Sequence, residues 1–185
     1  MKAKTILCVM VLALAAGTLA GAQGSGQTTG ALGLTSALPK VDGVIGAKEY
    51  TFTTDANGMQ LGLSLSADTL FVALSCPTTG WVAVGIGSQK MDGAVMYIGF
   101  VGSDKAQLKV QQGSGHRHSD TDADAPVQYS LSESNGRTMM ELALKAAGFI
   151  DKGQKSLEMV VAMGGADSFV SMHKARAGLS VSLAQ

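Results

Sequence analysis

The stretch Val127-Gln128-Tyr129-Ser130-Leu131-Ser132-Glu133-Ser134-Asn135-Gly136-Arg137-Thr138-Met139-Met140-Glu141-Leu142-Ala143-Leu144 decides the fold. Val127, Tyr129 and Leu131 alternate with polar residues before Asn135-Gly136, and Met140, Leu142 and Leu144 alternate after it. Period-two alternation buries one face of an extended chain and leaves the other wet. Asn-Gly between two such runs marks a hairpin, because both residues tolerate the positive φ that a two-residue turn demands. The same theme repeats on both sides of this hairpin. Met59, Leu61, Leu63 and Leu65 alternate, and Ala67-Asp68 suits a tight turn into the fully apolar run 69–74, as in a central strand. Further apolar runs occupy 81–86, 94–101 and 157–163, with weaker ones at Leu108 and Val110 and at Leu179, Val181 and Leu183. Helix signals are poor: only 144–150 has room for a turn or two, and Gly148 weakens it. Short strands with glycine-rich turns predict an all-β chain, an immunoglobulin-like antiparallel β-sandwich of about 8–10 strands.

The ends and the charge balance bound the rest. Lys2 and Lys4, an apolar run over 6–16 and Ala20-Gly21-Ala22 read as a secretory signal peptide, residues 1–22. The apolar run is too short to span a bilayer, so no stable membrane insertion is expected after cleavage. Residues 23–38, rich in Gly, Ser, Thr and Gln, read as a flexible leader, and 39–185 as one domain. Cleavage removes two lysines and no acids, leaving 12 basic against 14 acidic residues without a basic bank. Nucleic acid is thereby excluded as a partner. The destination is periplasmic or extracellular, yet Cys76 alone remains after cleavage, so packing and not an internal disulfide must stabilise the fold. A buried thiol is the plain reading of Cys76. There is no C-x-x-C-H, hence no covalently attached c-type haem.

Four pieces then stand in order. Val41-Asp42-Gly43-Val44-Ile45-Gly46-Ala47-Lys48-Glu49-Tyr50 opens the domain. Gly80-Trp81-Val82-Ala83-Val84-Gly85-Ile86-Gly87 follows, with Met91-Asp92-Gly93-Ala94-Val95-Met96-Tyr97-Ile98-Gly99 close behind, and Met172-His173-Lys174-Ala175-Arg176-Ala177-Gly178 comes late. Over about residues 40–185 this order resembles the DOMON domain, a secreted β-sandwich module related to the cytochrome domain of cellobiose dehydrogenase. The resemblance implies either b-type haem, held by the methionine of the M-x-G-A piece and a late histidine, or sugar binding. Those ligand positions fall on Met91 and His173. The family often has an acidic residue after M-x-G-A where this chain has Val95, so that position inherits no role.

The residues taken by themselves give the following. Methionine is usually core filler, and Met96, Met140 and Met159 lie on strand patterns. Met91, flanked by Lys90 and Asp92, lies in a polar connector instead. Its thioether is a soft ligand suited to haem iron. His173 falls in a loop before the last strand, with Lys174 and Arg176 placed to bond haem propionates. His/Met ligation fills both axial positions and favours electron transfer over oxygen chemistry. Trp81 joins this cofactor-binding set, although it opens an apolar strand where core packing is the plainer reading. His116-Arg117-His118, followed by Ser119, Asp120, Asp122 and Asp124, is a rival metal feature; its plainer reading is a solvated loop. No nucleophilic triad, G-x-S-x-G, P-loop or H-E-x-x-H is present, so the chain is read as a non-enzyme.

The leading expectation is an exported haem b electron-transfer module whose partner is a redox protein or a membrane electron carrier. The alternative, from the D-G-x-I opening and Trp81, is a carbohydrate-binding module. A third is a metal-handling protein using His116 and His118.

Overall fold

The computed structural model describes residues 30–184. Eleven strands form two antiparallel sheets: β1 (Phe52–Ala56), β2 (Met59–Leu65), β3 (Thr69–Cys76), β4 (Val82–Ile86), β5 (Val95–Val101), β6 (Ala106–Ser114), β7 (Arg117–Asp120), β8 (Gln128–Ser134), β9 (Arg137–Lys145), β10 (Ser156–Gly164) and β11 (His173–Ser182). One sheet runs β1-β2-β3-β9-β8, the other β11-β10-β4-β5-β6-β7. The chain is thus an all-β sandwich, and the expected helical turn is a single 3-10 turn at Ala146–Gly148.

The alternations quoted above become the inner faces. Leu61, Leu63, Leu70, Val72, Leu74, Met140, Leu142 and Leu144 from one sheet meet Val82, Val84, Ile86, Tyr97, Met159 and Val161 from the other. Asn135 and Gly136 adopt φ 51° and 72°, the left-handed pair that closes the β8–β9 hairpin. Two strands exceed the expected set. β1 is joined to β2 by Asn57-Gly58, at φ 60° and 79°, the same hairpin chemistry. β7 consists of Arg-His-Ser-Asp and pairs with β6 at the sheet edge. The expected solvated loop at 116–120 is therefore corrected in part: His116 sits in the turn, whereas Arg117–Asp120 is an edge strand.

The domain also begins earlier than residue 39. The expected leader lies partly outside the described residues, as does all of the expected signal peptide. Within the described part, Leu32 is buried and bridges Leu183, and Leu34 bridges Leu65. The Leu32 amide donates to the Ser182 carbonyl at 2.7 Å, and the Thr35 amide to that of Leu65 at 2.8 Å. A leucine in a glycine- and threonine-rich stretch supplied the missing apolar contact.

The opening piece covers the outer face of the five-stranded sheet. Val41, Tyr50, Phe71, Ala73 and Ala143 form a small separate core there, which is why β3 is apolar on both faces. At its centre lies the fully buried carboxylate of Glu141. One oxygen accepts the amides of Asp42 and Gly43, at 3.1 and 2.7 Å; the other accepts the Tyr50 hydroxyl at 2.7 Å. Burial first, and this carboxylate second, hold the Tyr50 phenol far above its ordinary range. Cys76 is fully buried in the main core, and burial pushes its thiol up to about 12, so it stays protonated and inert at neutral pH.

Candidate functional site

The outer face of the six-stranded sheet is shaped differently. Along β4 the inward residues are large (Val82, Val84, Ile86) and the outward ones small (Ala83, Gly85). Along β10 the outward residues are Val160 and Ala162. Small outward side chains lower the floor between two raised loops. The result is a hollow of about 750 Å³, floored by Ala83, Gly85, Met96, Ile98, Val160 and Ala162. Its size is within the range of about 300–1,000 Å³ usual for small-molecule and cofactor sites.

One wall is the β4–β5 connection, which carries Lys90, Met91 and Asp92 into the hollow. This loop is tied to the β6–β7 hairpin. The Gly93 amide donates to the Gly113 carbonyl at 3.1 Å, the Gly113 amide to the Ala94 carbonyl at 2.9 Å, and the Gly115 amide to the Asp92 carboxylate at 2.8 Å. The loop closes on itself where the Ala94 amide reaches the Met91 carbonyl at 3.1 Å. Gly113 is required for close approach: a β-carbon there would collide with the Met91 carbonyl and lie 3.1 Å from its Cγ. Because the obstacle is backbone, it cannot swing aside. Gly113→Ala should therefore lift the Met91 loop and lower stability by the upper part of the roughly 1–3 kcal/mol typical of overpacking. Urea unfolding checks this, and an unchanged midpoint would contradict the described packing.

The opposite wall is the β10–β11 connection. Phe169 packs on Phe100, ring centroids 4.7 Å apart, with the Lys109 ammonium 5.0 Å from the Phe169 ring centre. The Trp81 indole lies against Gly164, where any side chain would strike it, and its Nε1–H donates to the Ser171 hydroxyl at 2.8 Å. Phe169 and Ser171 thereby fix the loop while Val170 and Met172 stay 91% and 85% exposed at the lip. His173, expected in the loop, is instead the first residue of β11, beside a register shift between Met163 and Gly164.

Met91 and His173, far apart in sequence, line this one hollow; Trp81 and Arg176 line it too. Lys174 does not line it and lies over Gly165 instead. His116 and His118 are also in the lining, so all three histidines of the chain face the same space. Among the described residues no group of three or more His, Cys, Asp or Glu side chains is disposed to hold a metal ion. Two of the aspartates after His118 are engaged elsewhere: Asp120 accepts from the Gln111 amide at 3.0 Å, and Asp124 pairs with Lys145 at 3.0 Å.

Sequence reasoning missed Phe169, the floor residues and Gly113. The floor had a signal in the large–small alternation of Val82-Ala83-Val84-Gly85-Ile86. Nothing local distinguishes Gly113 from the other glycines.

No protein-family model matches the chain, and no curated protein matches it. Solved structures do. The cytochrome domain of Myriococcum thermophilum cellobiose dehydrogenase is similar with a TM-score of 0.55 at 13% identity, over 72% of this chain and 81% of that one. The cytochrome b domain of pyranose dehydrogenase from Coprinopsis cinerea is similar with a TM-score of 0.50 at 14% identity, over 67% and 76%. A family 9 carbohydrate-binding module from Caldicellulosiruptor kristjanssonii, in complex with glucose, aligns with a TM-score of 0.41 at 14% identity, over 80% and 84%. At these identities the likeness is one of fold: the chain shares the β-sandwich of those cytochrome domains, which is consistent with the resemblance read from its sequence pieces.

Proposed function

We propose that this protein is an exported haem b module for electron transfer, with Met91 and His173 as the axial pair. The observation that carries the reading is that these two side chains line one hollow with an apolar floor. The residues present fit the group. Apolar side chains suit a macrocycle, a thioether and an imidazole suit iron, and Lys90 and Arg176 in the lining offer charge-assisted bonds to propionates. Bound there, haem would supply one-electron chemistry. The chain's own part would be to hold the group through Met91 and His173 and keep water from it, which favours electron exchange over substrate turnover. A redox protein or membrane electron carrier is the partner, met in the periplasm or outside the cell. Among the described residues no helix is long and apolar enough to cross a membrane.

The sugar reading draws less support from the same site. The Trp81 ring is only 8% exposed and its N–H is already bonded to Ser171, so it offers no open stacking face. Asp42 and Gly43 of the opening piece use their amides on Glu141, on the other sheet. The decisive test is titration of the purified full chain with haemin. A saturable Soret band at one equivalent, with a low-spin reduced spectrum, is expected; no Soret band would end the proposal.

A further inference from the structure

We infer that His118 is a second ligand-competent group for the same iron, placed on the Met91 wall, so that it competes with Met91 for the position opposite His173. This inference rests on the haem reading above. It starts from the β6–β7 register, in which Gly113 faces His118 and Gln111 faces Asp120. Directly opposed residues of an antiparallel pair share a face, with β-carbons about 4.5–5.5 Å apart. Met91 lies on Gly113, its Cγ 3.1 Å from where a β-carbon would be. The thioether stem and the His118 imidazole are therefore neighbours over one glycine, and both line the hollow.

The imidazole is also oriented. Its Nδ1 lies 2.6 Å from the Gln111 side-chain oxygen. The Gln111 amide nitrogen donates to Asp120 at 3.0 Å, which fixes which end of the amide faces the histidine. An amide oxygen only accepts, so in the neutral imidazole the proton sits on Nδ1 and the lone pair on Nε2. Gln111 is only 7% exposed, so this support is built into the sheet. Donation of one ring N–H to an outer carbonyl is how proteins orient metal-binding histidines. Among the described residues Nε2 of His118 has no hydrogen-bond partner, and His116, in the exposed turn, has no comparable tether.

His173 belongs to the other wall. It pairs with Gly164, next to the Val82 end of β4, whereas the Met91 loop leaves from the Ile86 end. Four strand steps separate those ends, about 13 Å. Exchange of Met91 for His118 would break the iron–sulfur bond and form an iron–Nε2 bond, with the proton staying on Nδ1, bonded to Gln111, and no electron consumed. The softer thioether favours the reduced metal, so the exchange would lower the potential.

The test uses the haemin-loaded full chain as wild type, Met91→Ala, His118→Ala and the double variant, read by electron paramagnetic resonance, absorption and redox titration. Met91→Ala should stay low-spin, gain a bis-imidazole signature and fall in potential. The double variant should turn high-spin and return to low-spin on adding free imidazole, which shows that its pocket is intact. If Met91→Ala alone is as high-spin as the double variant while keeping its Soret band, the inference is overturned and the haem reading stands. If the wild type takes up no haem, both fall together.

Discussion

Haemin-loaded His173→Ala should lose its low-spin spectrum and bind haemin far more weakly than the wild type. Loss of a mere outer partner of a metal ligand costs roughly 10–100-fold in affinity, and loss of the ligand itself should exceed that. The wall that carries His173 has poor substitutes. Met172 is 85% exposed at the lip, and Lys174 lies over Gly165 outside the lining. On the Met91 wall, by contrast, the His118 imidazole, tethered to Gln111, lines the same hollow. On the haem reading the two ligands are therefore unequal: substitution at Met91 should change the kind of low-spin spectrum, and substitution at His173 should abolish it. The fold itself should hardly respond, since His173 is exposed and surface replacements usually stay within about 0.5 kcal/mol. A His173→Ala protein with an unaltered midpoint and an unaltered low-spin spectrum would remove His173 from the site.

Much of this arrangement was legible from residue order, for definable reasons. Nine of the strands announced themselves, five by period-two alternation, as in Met59–Leu65, and four (β3, β4, β5 and β10) as continuous apolar runs covered on both faces. β1 did not, since Phe-Thr-Thr-Asp-Ala has apolar residues only at its ends; its signal was the Asn57-Gly58 turn behind it. β7 has no apolar residue at all and is a strand only because β6 offers it partners. Met91 stood out because charged neighbours place it off any core stripe. What could not be read was which loops share a face. That depends on the β4–β5 connection resting on Gly113 and on the β10–β11 connection being held by Trp81 and Phe169. Each of those contacts spans a long stretch of chain. For the same reason the histidines at 116 and 118 read as a separate metal feature, though the fold turns them toward Met91's hollow.

Glu141→Ala should cost about 3–5 kcal/mol, because each buried donor left without its acceptor costs about 1–3 kcal/mol and three share this carboxylate. Against a total of about 5–15 kcal/mol for a domain, that approaches global unfolding. The substitution leaves two backbone amides and the Tyr50 hydroxyl buried without their acceptor, and a void where the side chain stood. Glu141→Gln separates the polar loss from the void. Its amide oxygen can still serve Asp42 and Gly43, while its NH₂ group turns to Tyr50, whose oxygen can accept instead of donating. A loss of about 1–2 kcal/mol is expected for it, and a similar loss for Tyr50→Phe. The two changes share one hydrogen bond, so the double variant should lose less than the sum. None of these residues touches the hollow, which lies on the outer face of the other sheet. Glu141→Gln should thus unfold at lower urea and still bind haemin with the wild-type spectrum. A spectrum that shifts along with the midpoint would mean that the two outer faces are coupled through the core, contrary to their separate packing.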